Sequence, residues 1–474
     1  MIQKFLTKYG LAAHVLCVCA FPVFFIVRPV SDGMLPLLWL SLLVFEFMFM
    51  LPSVRGGETL ADARCRVLRK LLWDPLFYVG AAVILLAAAQ WLNSGCGLVY
   101  LTDADVWQMS EPGVSWLPFS VESTAALGRL SIFVSCWAVA LALRDAMSKA
   151  SKRLLLQIMS LVSGCFAIYA VTLACLKSEP FAGMACGEGM SALGAFCGFW
   201  LLVAMGVFAD ALERARRSAG ALFVFGVAGN LAGMLFFANV LTAVVYAALT
   251  VILVFYWLIY LAPHVPQHTR LKLFMASLLM FAAAVLSLAY LWPDNPLTHK
   301  INAALPIDAH LTDLMATKNV RSQAAVRIWE DYPWTGVGAD GFRHFVGLVI
   351  NPKDWGLIMD NKPYVYNDWL QALCEYGVLG SGLLLAAAVM MAVPVGYRAR
   401  IAMLFGTGDE NDGRVYLLRI SPVVFCGVLA LLMCLLESFI SNPLRAPGCL
   451  LSWTCVTASL SAFLPAQGGV AGKT

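Results

Sequence analysis

Charge is scarce in this chain. Of 474 residues only 13% are Asp, Glu, Lys or Arg, while 61% are hydrophobic, far from the usage of a soluble globular protein. The formal net charge of +4 comes from a few basic loops and gives no argument for a nucleic-acid partner. Metal-ligand spacing is also missing: the 14 cysteines include no CxxC pair and no Cys/His cluster, so nothing points to a zinc site. Most of these thiols lie inside apolar runs, where Cys behaves as a small hydrophobe. Only Cys96 and Cys186 fall in loops on one side of the chain's topology, and a bridge between them stays open. No repeat of fixed period, inverted or direct, can be found, and no ladder of paired charges follows a central path. Both absences argue against a transporter.

Long apolar runs are abundant. Twelve reach the roughly 20 residues needed to cross a bilayer core as helices. They lie near 9–28, 35–53, 75–93, 124–143, 155–175, 190–210, 219–237, 240–261, 272–292, 374–396, 419–437 and 447–464. The first is long and a second follows at once, which reads as a span and not as a cleaved signal peptide. The fold class expected is therefore all-α: a polytopic transmembrane helix bundle of about twelve spans. One large external helical loop separates spans nine and ten. Residues 1–292 hold nine spans, 293–373 the loop, and 374–474 the last three spans and the C-terminal tail.

Lys and Arg set the orientation. Arg55, Arg64, Arg66, Arg69 and Lys70 share one short loop; Arg144, Lys149, Lys152 and Arg153 share another. Arg214, Arg216 and Arg217 follow the sixth run, and Arg398, Arg400, Arg414 and Arg419 lie between the tenth and eleventh. Alternate loops carry acids instead, among them Asp103, Asp105, Glu111 and Glu122. Both termini are then cytoplasmic and 293–373 is external.

A few polar residues interrupt the runs. Glu46 lies inside the second span, either as a functional acid or as a carboxyl paired with a neighbouring helix or protonated. Arg129 stands about two turns inside the fourth, either snorkelling outward or facing a cavity and an anion. Asp210 adjoins a basic loop and pairs with it. Asn230 and Asn239 read as helix-to-helix glue. The loop 94–123, with Trp107, Trp116, Pro112 and Pro118, reads as a cap lying along the interface.

The external loop is the one long polar stretch. Residues 307–331 carry a helical period: at 100° per residue, Leu314, Ala324, Ala325, Ile328, Trp329 and Tyr332 share one half of the wheel. Asn319, Ser322, Gln323 and Glu330 take the other half, with Val326 an apolar exception. Arg321 falls in the middle of the apolar stripe with no local partner. Either its stem crosses apolar surface or its guanidinium enters a pocket. Arg327 lies outside the stripe, four residues before Asp331, and reads as a surface pair. Pro333 stops the helix.

Gly336-Val337-Gly338-Ala339-Asp340-Gly341 matches GxGxxG, but without a preceding strand or a βαβ unit it is no dinucleotide site. It reads first as a turn needing positive φ and second as amides converging on an anion. Arg343-His344 follows, either as a cation and titrating group for a site or as an exposed pair. Tyr366-Asn367-Asp368 opens the next segment. If that segment is helical, Tyr366 and Gly377 share a face, Gly377 and Gly380 permit close helix approach, and Asn367 or Asp368 caps the helix. Arg445, in Asn442-Pro443-Leu444-Arg445-Ala446-Pro447, is a rare positive charge in a short external loop.

Three of these features resemble the O-antigen ligase and polymerase superfamily of bacterial membrane glycosyltransferases. They are the arginine helix leading into P-W-T-G-V-G (Pro333 to Gly338), the stretch Y-N-D-W-L-Q-A-L-C-E-Y-G-V-L-G (Tyr366 to Gly380), and N-P-L-R-A-P. The resemblance covers roughly 315–450; the first 300 residues match in topology only.

It implies transfer of a glycan from undecaprenyl-pyrophosphate, at the external face of the bacterial inner membrane, to a hydroxyl of a glycolipid, another glycan or a protein. It implies no cofactor and no metal. Arg321, Tyr366 and Asn367 take the catalytic positions. Arg129, Arg327, Gly336, Gly338, Arg343, His344, Asp368 and Arg445 are the substrate-binding candidates. The family's His stands here as Tyr366, and Tyr, titrating near ~10 where His titrates near ~6.5, orients a hydroxyl better than it shuttles a proton. The family's mid-chain Ser-Arg-Gly element has no arginine counterpart in 219–261.

Overall fold

The computed structural model describes residues 34–54, 57–102, 106–110, 112–175, 190–213, 217–238, scattered positions between 242 and 253, 307–356, 364–405 and 420–464. The described residues are almost wholly helical: α1 (Met34–Met50), α2 (Leu60–Trp73), α3 (Pro75–Leu92), α4 (Ser123–Leu141), α5 (Lys149–Cys175), α6 (Met190–Glu213), α7 (Arg217–Phe237), α8 (Ile307–Asp331), α9 (Phe342–Val349), α10 (Asp368–Phe405), α11 (Pro422–Glu437) and α12 (Pro447–Leu460). Nine of the twelve apolar runs are helices here. The runs at 9–28 and 272–292, and most of 240–261, lie outside the described residues, as do Asn239 and Cys186. Among the described residues, five helices are long and apolar enough to cross a membrane: Pro75–Leu92, Ser123–Ala146, Lys149–Ala174, Ala192–Ala211 and Asp368–Ile401.

Local chemistry sets the helix starts. Thr59 and Asp62 form a reciprocal capping box ahead of α2, satisfying two end donors at once. Asp74 closes α2 and caps α3 through Leu76 N at 3.0 Å. Pro75, Pro422 and Pro447 each stand at the first position of a helix, where a missing N–H costs nothing. At the end of α4 the chain widens into a π turn, Ala142–Ala146. This turn carries Arg144 to Asp74, Nε to Oδ2 2.7 Å.

Two cores result. The larger is the bundle of α5, α6, α7, α11 and α12, with Trp200, Leu201, Leu202 and Met234 fully buried. Asn230 lies within it as a bridge between α7 and α5, its Nδ2 donating to Ser163 Oγ at 3.0 Å. The smaller core is a cap over one end of the bundle, made by Cys96, Phe119, Ala324, Ile328, Val337, Phe342, Phe345, Val365 and Cys374. The other end of the bundle carries Asp74, Arg144 and Lys152. Glu46 points outward from α1 and is exposed.

Three expectations change. The loop 94–123 is not only an interfacial cap: it contains a β-hairpin, Leu98–Leu101 antiparallel to Val106–Met109, and its Phe119 and Ser120 pack into the cap. Tyr366 and Gly377 do not share a helix face. Tyr366 precedes α10 with φ 55°, and Gly377 breaks that helix with φ 63° and ψ −168°. Arg327 does not pair with Asp331 among the described residues; it donates from Nη1 to Val349 O at 3.0 Å, closing the end of α9.

Candidate functional site

The site is the seam between cap and bundle, and backbone hydrogen bonds hold it. Val337 N donates to Cys374 O at 3.0 Å and Gly338 N to Glu375 O at 2.9 Å. Val378 N donates to Pro333 O at 2.9 Å and Leu379 N to Trp334 O at 3.1 Å. The P-W-T-G-V-G and E-Y-G segments are therefore laced together, and Gln90 of α3 joins them by donating to both Thr335 O and Glu375 O at 3.1 Å. This closeness dictates glycine. A Cβ on Gly377 would stand 2.3 Å from Trp334 C, and one on Gly338 2.4 Å from Phe119 O. Gly336 N donates to Tyr332 O and Gly341 N to Gly338 O. The amides of Gly336, Val337, Gly338 and Gly341 thus serve protein carbonyls.

Arg321 of α8 lies under this seam, with 1% of its surface exposed. Its guanidinium carbon sits 4.6 Å from the centre of the Tyr366 ring, and Nη1 reaches Tyr364 O at a long 3.4 Å. Among the described residues, Nε and Nη2 have no hydrogen-bond partner. Buried guanidinium donors are costly to leave unmade. Ala324, Ala325 and Ile328 on the same stripe are buried, whereas Asn319, Gln323 and Glu330 are exposed, as the helical period requires. Tyr366 holds its place in a left-handed conformation, a genuine outlier for a bulky residue.

Arg445 lies on the far side of Tyr364, whose ring centre is 4.6 Å from its guanidinium. It is also buried, but two carboxylates answer it: Nη1 donates to Glu375 Oε1 at 2.9 Å, and Nη2 pairs with Asp340 Oδ1. Gln371 Nε2 donates to the same Glu375 oxygen, and Gln371 Oε1 accepts from Val365 N at 2.9 Å. Arg129 lines a crevice beside this seam and donates from Nη1 to Arg445 O. Asp340, like Tyr366, is left-handed, with φ 60°.

Asn367 Oδ1 accepts from Trp369 N at 3.0 Å and Leu370 N at 3.2 Å, capping α10. Asp368 ties α10 to the turn before α12: its Oδ2 accepts from Leu444 N at 2.9 Å, and its own N donates to Ser438 O at 2.9 Å. Arg343 and His344 stand apart from both buried arginines. They form a half-exposed cluster with Glu122, which precedes α4. A hydrogen bond from Thr124 and the nearby Arg343 hold the Glu122 carboxyl below its usual range, while burial pushes His344 down.

From this seam an apolar crevice of about 250 Å³ runs between α3, α4, α10 and α12. Its polar end is Arg129, Asp368, Gln371, Glu375 and Arg445; the rest is Gly80, Val83, Phe133, Trp137, Leu384, Met391 and similar residues. A narrow apolar trough with a charged mouth suits an amphipathic lipid with a polar head. Sequence reasoning named Arg129, Arg321 and Arg445 but missed Glu375, Gln371, Gln90 and Tyr364. Gln371 and Glu375, polar at i and i+4 in an otherwise apolar helix, were the available signal.

Fold and site together define a helical-bundle protein with membrane-length apolar helices and a buried cationic seam at one end. No family model matches the chain, and no curated protein matches it.

Proposed function

We propose that this chain is a bacterial inner-membrane glycosyltransferase of the O-antigen ligase and polymerase type. In this reading twelve spans carry residues 293–373 on the external face, both termini are cytoplasmic, and the donor is an undecaprenyl-pyrophosphate-linked glycan. The acceptor hydroxyl, on a glycolipid, glycan or protein, attacks the anomeric carbon. The bond from that carbon to the pyrophosphate oxygen breaks, the electron pair leaves on the lipid pyrophosphate, and the proton of the acceptor hydroxyl passes to that leaving pyrophosphate. Developing charge on a leaving pyrophosphate needs fixed cationic donors in a site shielded from water. The observation that carries the reading is Arg321, a buried guanidinium with two donors unmet among the described residues. Guanidinium matches phosphate oxygens bidentately. Tyr366 beneath it orients the reacting oxygen, and the crevice accepts the prenyl chain.

A second reading, binding without turnover, draws on Tyr366. A phenol stacked under a guanidinium is a poor proton shuttle, so the protein would hold lipid-linked glycan for another enzyme. The test compares lipid-linked glycans in cells with and without this chain and measures release of undecaprenyl pyrophosphate by the purified protein. A shift in glycan length with release supports polymerase; loss of glycan attachment with release supports ligase. Saturable binding of the lipid-linked glycan without release supports the second reading, and neither binding nor release ends both.

A further inference from the structure

The opposite end of the bundle holds a second buried cation. Lys152, near the start of α5, is 6% exposed, and its ammonium makes one hydrogen bond among the described residues, to Arg144 O at 3.4 Å. An ammonium has three donors. Asp145, of opposite sign, is the charge that acts on it most strongly, and Lys70, Arg398 and Arg144 act on it with its own sign. Arg144 is bound to Asp74, and Asp145 Oδ2 is itself buried without a hydrogen-bond partner among the described residues. Four cations and two acids thus converge where α2, α3, the π turn, α5 and α10 meet. A π turn inside an otherwise regular helix is a frequent mark of a functional site.

The neighbouring helix suggests what brings the missing anion. α2 buries Ala63, Val67 and Leu71 against the bundle. A second apolar stripe, Ala61, Cys65, Leu68 and Leu72, recurs at i, i+4, i+7 and i+11 on its outer side, and all four are exposed. Trp73, at its end, is 83% exposed. Arg64, Arg69 and Lys70 flank the stripe. Leu and Trp on one face with Lys and Arg beside them is the pattern of a helix lying in the plane of a membrane interface.

We infer that this end binds the phosphate headgroup of an anionic phospholipid. Lys152, Lys70 and Arg398 contact the phosphate, and Leu68, Leu72 and Trp73 lie against the acyl chains. The site is separate from the Arg321 seam and asks only that the chain sits in a membrane.

The experiment is thermal unfolding and native mass spectrometry of the purified protein in a neutral detergent, titrated with phosphatidylglycerol, phosphatidylcholine or inorganic phosphate. Phosphatidylglycerol is expected to bind and raise the midpoint, and phosphatidylcholine to do so much less. Lys152→Met is expected to weaken phosphatidylglycerol binding about fivefold, the effect of one cation near an anionic headgroup, and Lys152→Arg to restore it. The pair Lys70→Gln and Arg398→Gln, at the rim, tests the same claim if Lys152→Met does not accumulate. Equal binding of the two lipids overturns the proposal, and so does full phosphatidylglycerol binding by the Lys152→Met protein. Equivalent stabilisation by inorganic phosphate assigns the site to a soluble anion and likewise overturns it. A loss of midpoint in Asp145→Asn with lipid binding unchanged in every Lys152 variant shows Lys152 to be a partner of Asp145 alone, which also overturns it.

Discussion

Arg321 and Arg445 lie over tyrosines two residues apart in sequence, each 4.6 Å from a ring centre, each almost fully buried. Their surroundings differ. Arg445 is answered by Glu375 and Asp340, so its charge is more than balanced inside the protein. Among the described residues, Arg321 has a ring, one distant carbonyl and two donors left over. Removing one partner of a buried ion pair is strongly destabilising, because the other charge is stranded. Removing a guanidinium whose buried donors are unmet relieves a cost. Identical residues therefore sit in opposite surroundings: Arg445 is paired within the seam, and Arg321 keeps two donors unmet among the described residues.

The largest expected effect follows from that contrast. Arg445→Met strands Glu375 and Asp340 and should lower unfolding free energy by about 3–5 kcal/mol, while Arg321→Met should cost nothing and gain up to about 1–3 kcal/mol by removing unmet donors. Thermal midpoints in detergent check both signs, and a large loss in Arg321→Met would erase the distinction. Next comes Gly377→Ala, which puts a Cβ 2.3 Å from Trp334 C at φ 63°. It should destabilise by more than about 1 kcal/mol, seen as earlier proteolysis between cap and bundle.

Glu375→Gln keeps the shape but leaves Arg445 with Asp340. It should cost about 1–3 kcal/mol, less than Arg445→Met, and the double variant should cost less than the two losses added, as a coupled pair requires.

The smallest effect is at the exposed cluster. Burial lowers the folded pKa of His344, so folding is penalised as pH falls below its unfolded value of about 6.5. The folded pKa of Glu122 is also lowered, so its contribution is present above about pH 4.5 and lost as pH falls through the folded value. Both weaken the cluster on acidification. Because these side chains are roughly one-third exposed, the total should stay within about 1 kcal/mol. Glu122→Gln and His344→Gln should flatten the midpoint between pH 7 and 4.

Much of the Arg321 half of this comparison was legible in the sequence. The helix at 307–331, its stop at Pro333 and the placing of Arg321 in the apolar stripe all follow from a local period of 3.6, and α8 has that period. The Arg445 half was not. Its partner Glu375 is 70 residues away, and periodicity carries no information across such a separation. The same limit explains Arg327, whose partner lies on α9 while an acid stood ready at i+4. Gly377 reads from sequence as a residue of close helix approach, whereas it approaches the turn at Trp334; a glycine's φ cannot be told from its identity, so the break in α10 is invisible there. The apolar runs were the plainest signal, since length and composition alone define them.

The account stands or falls on what Arg321 binds. The direct measurement is glycan transfer from an undecaprenyl-pyrophosphate donor by purified wild-type, Arg321→Lys and Arg327→Lys proteins in nanodiscs, with thermal midpoints recorded alongside. Arg321→Lys is predicted to fold with an unchanged midpoint and to lose transfer by about a hundredfold or more, with Arg327→Lys close to wild type. Transfer at the wild-type rate by Arg321→Lys, or its failure to fold, would contradict the claim and make Arg321 a structural residue.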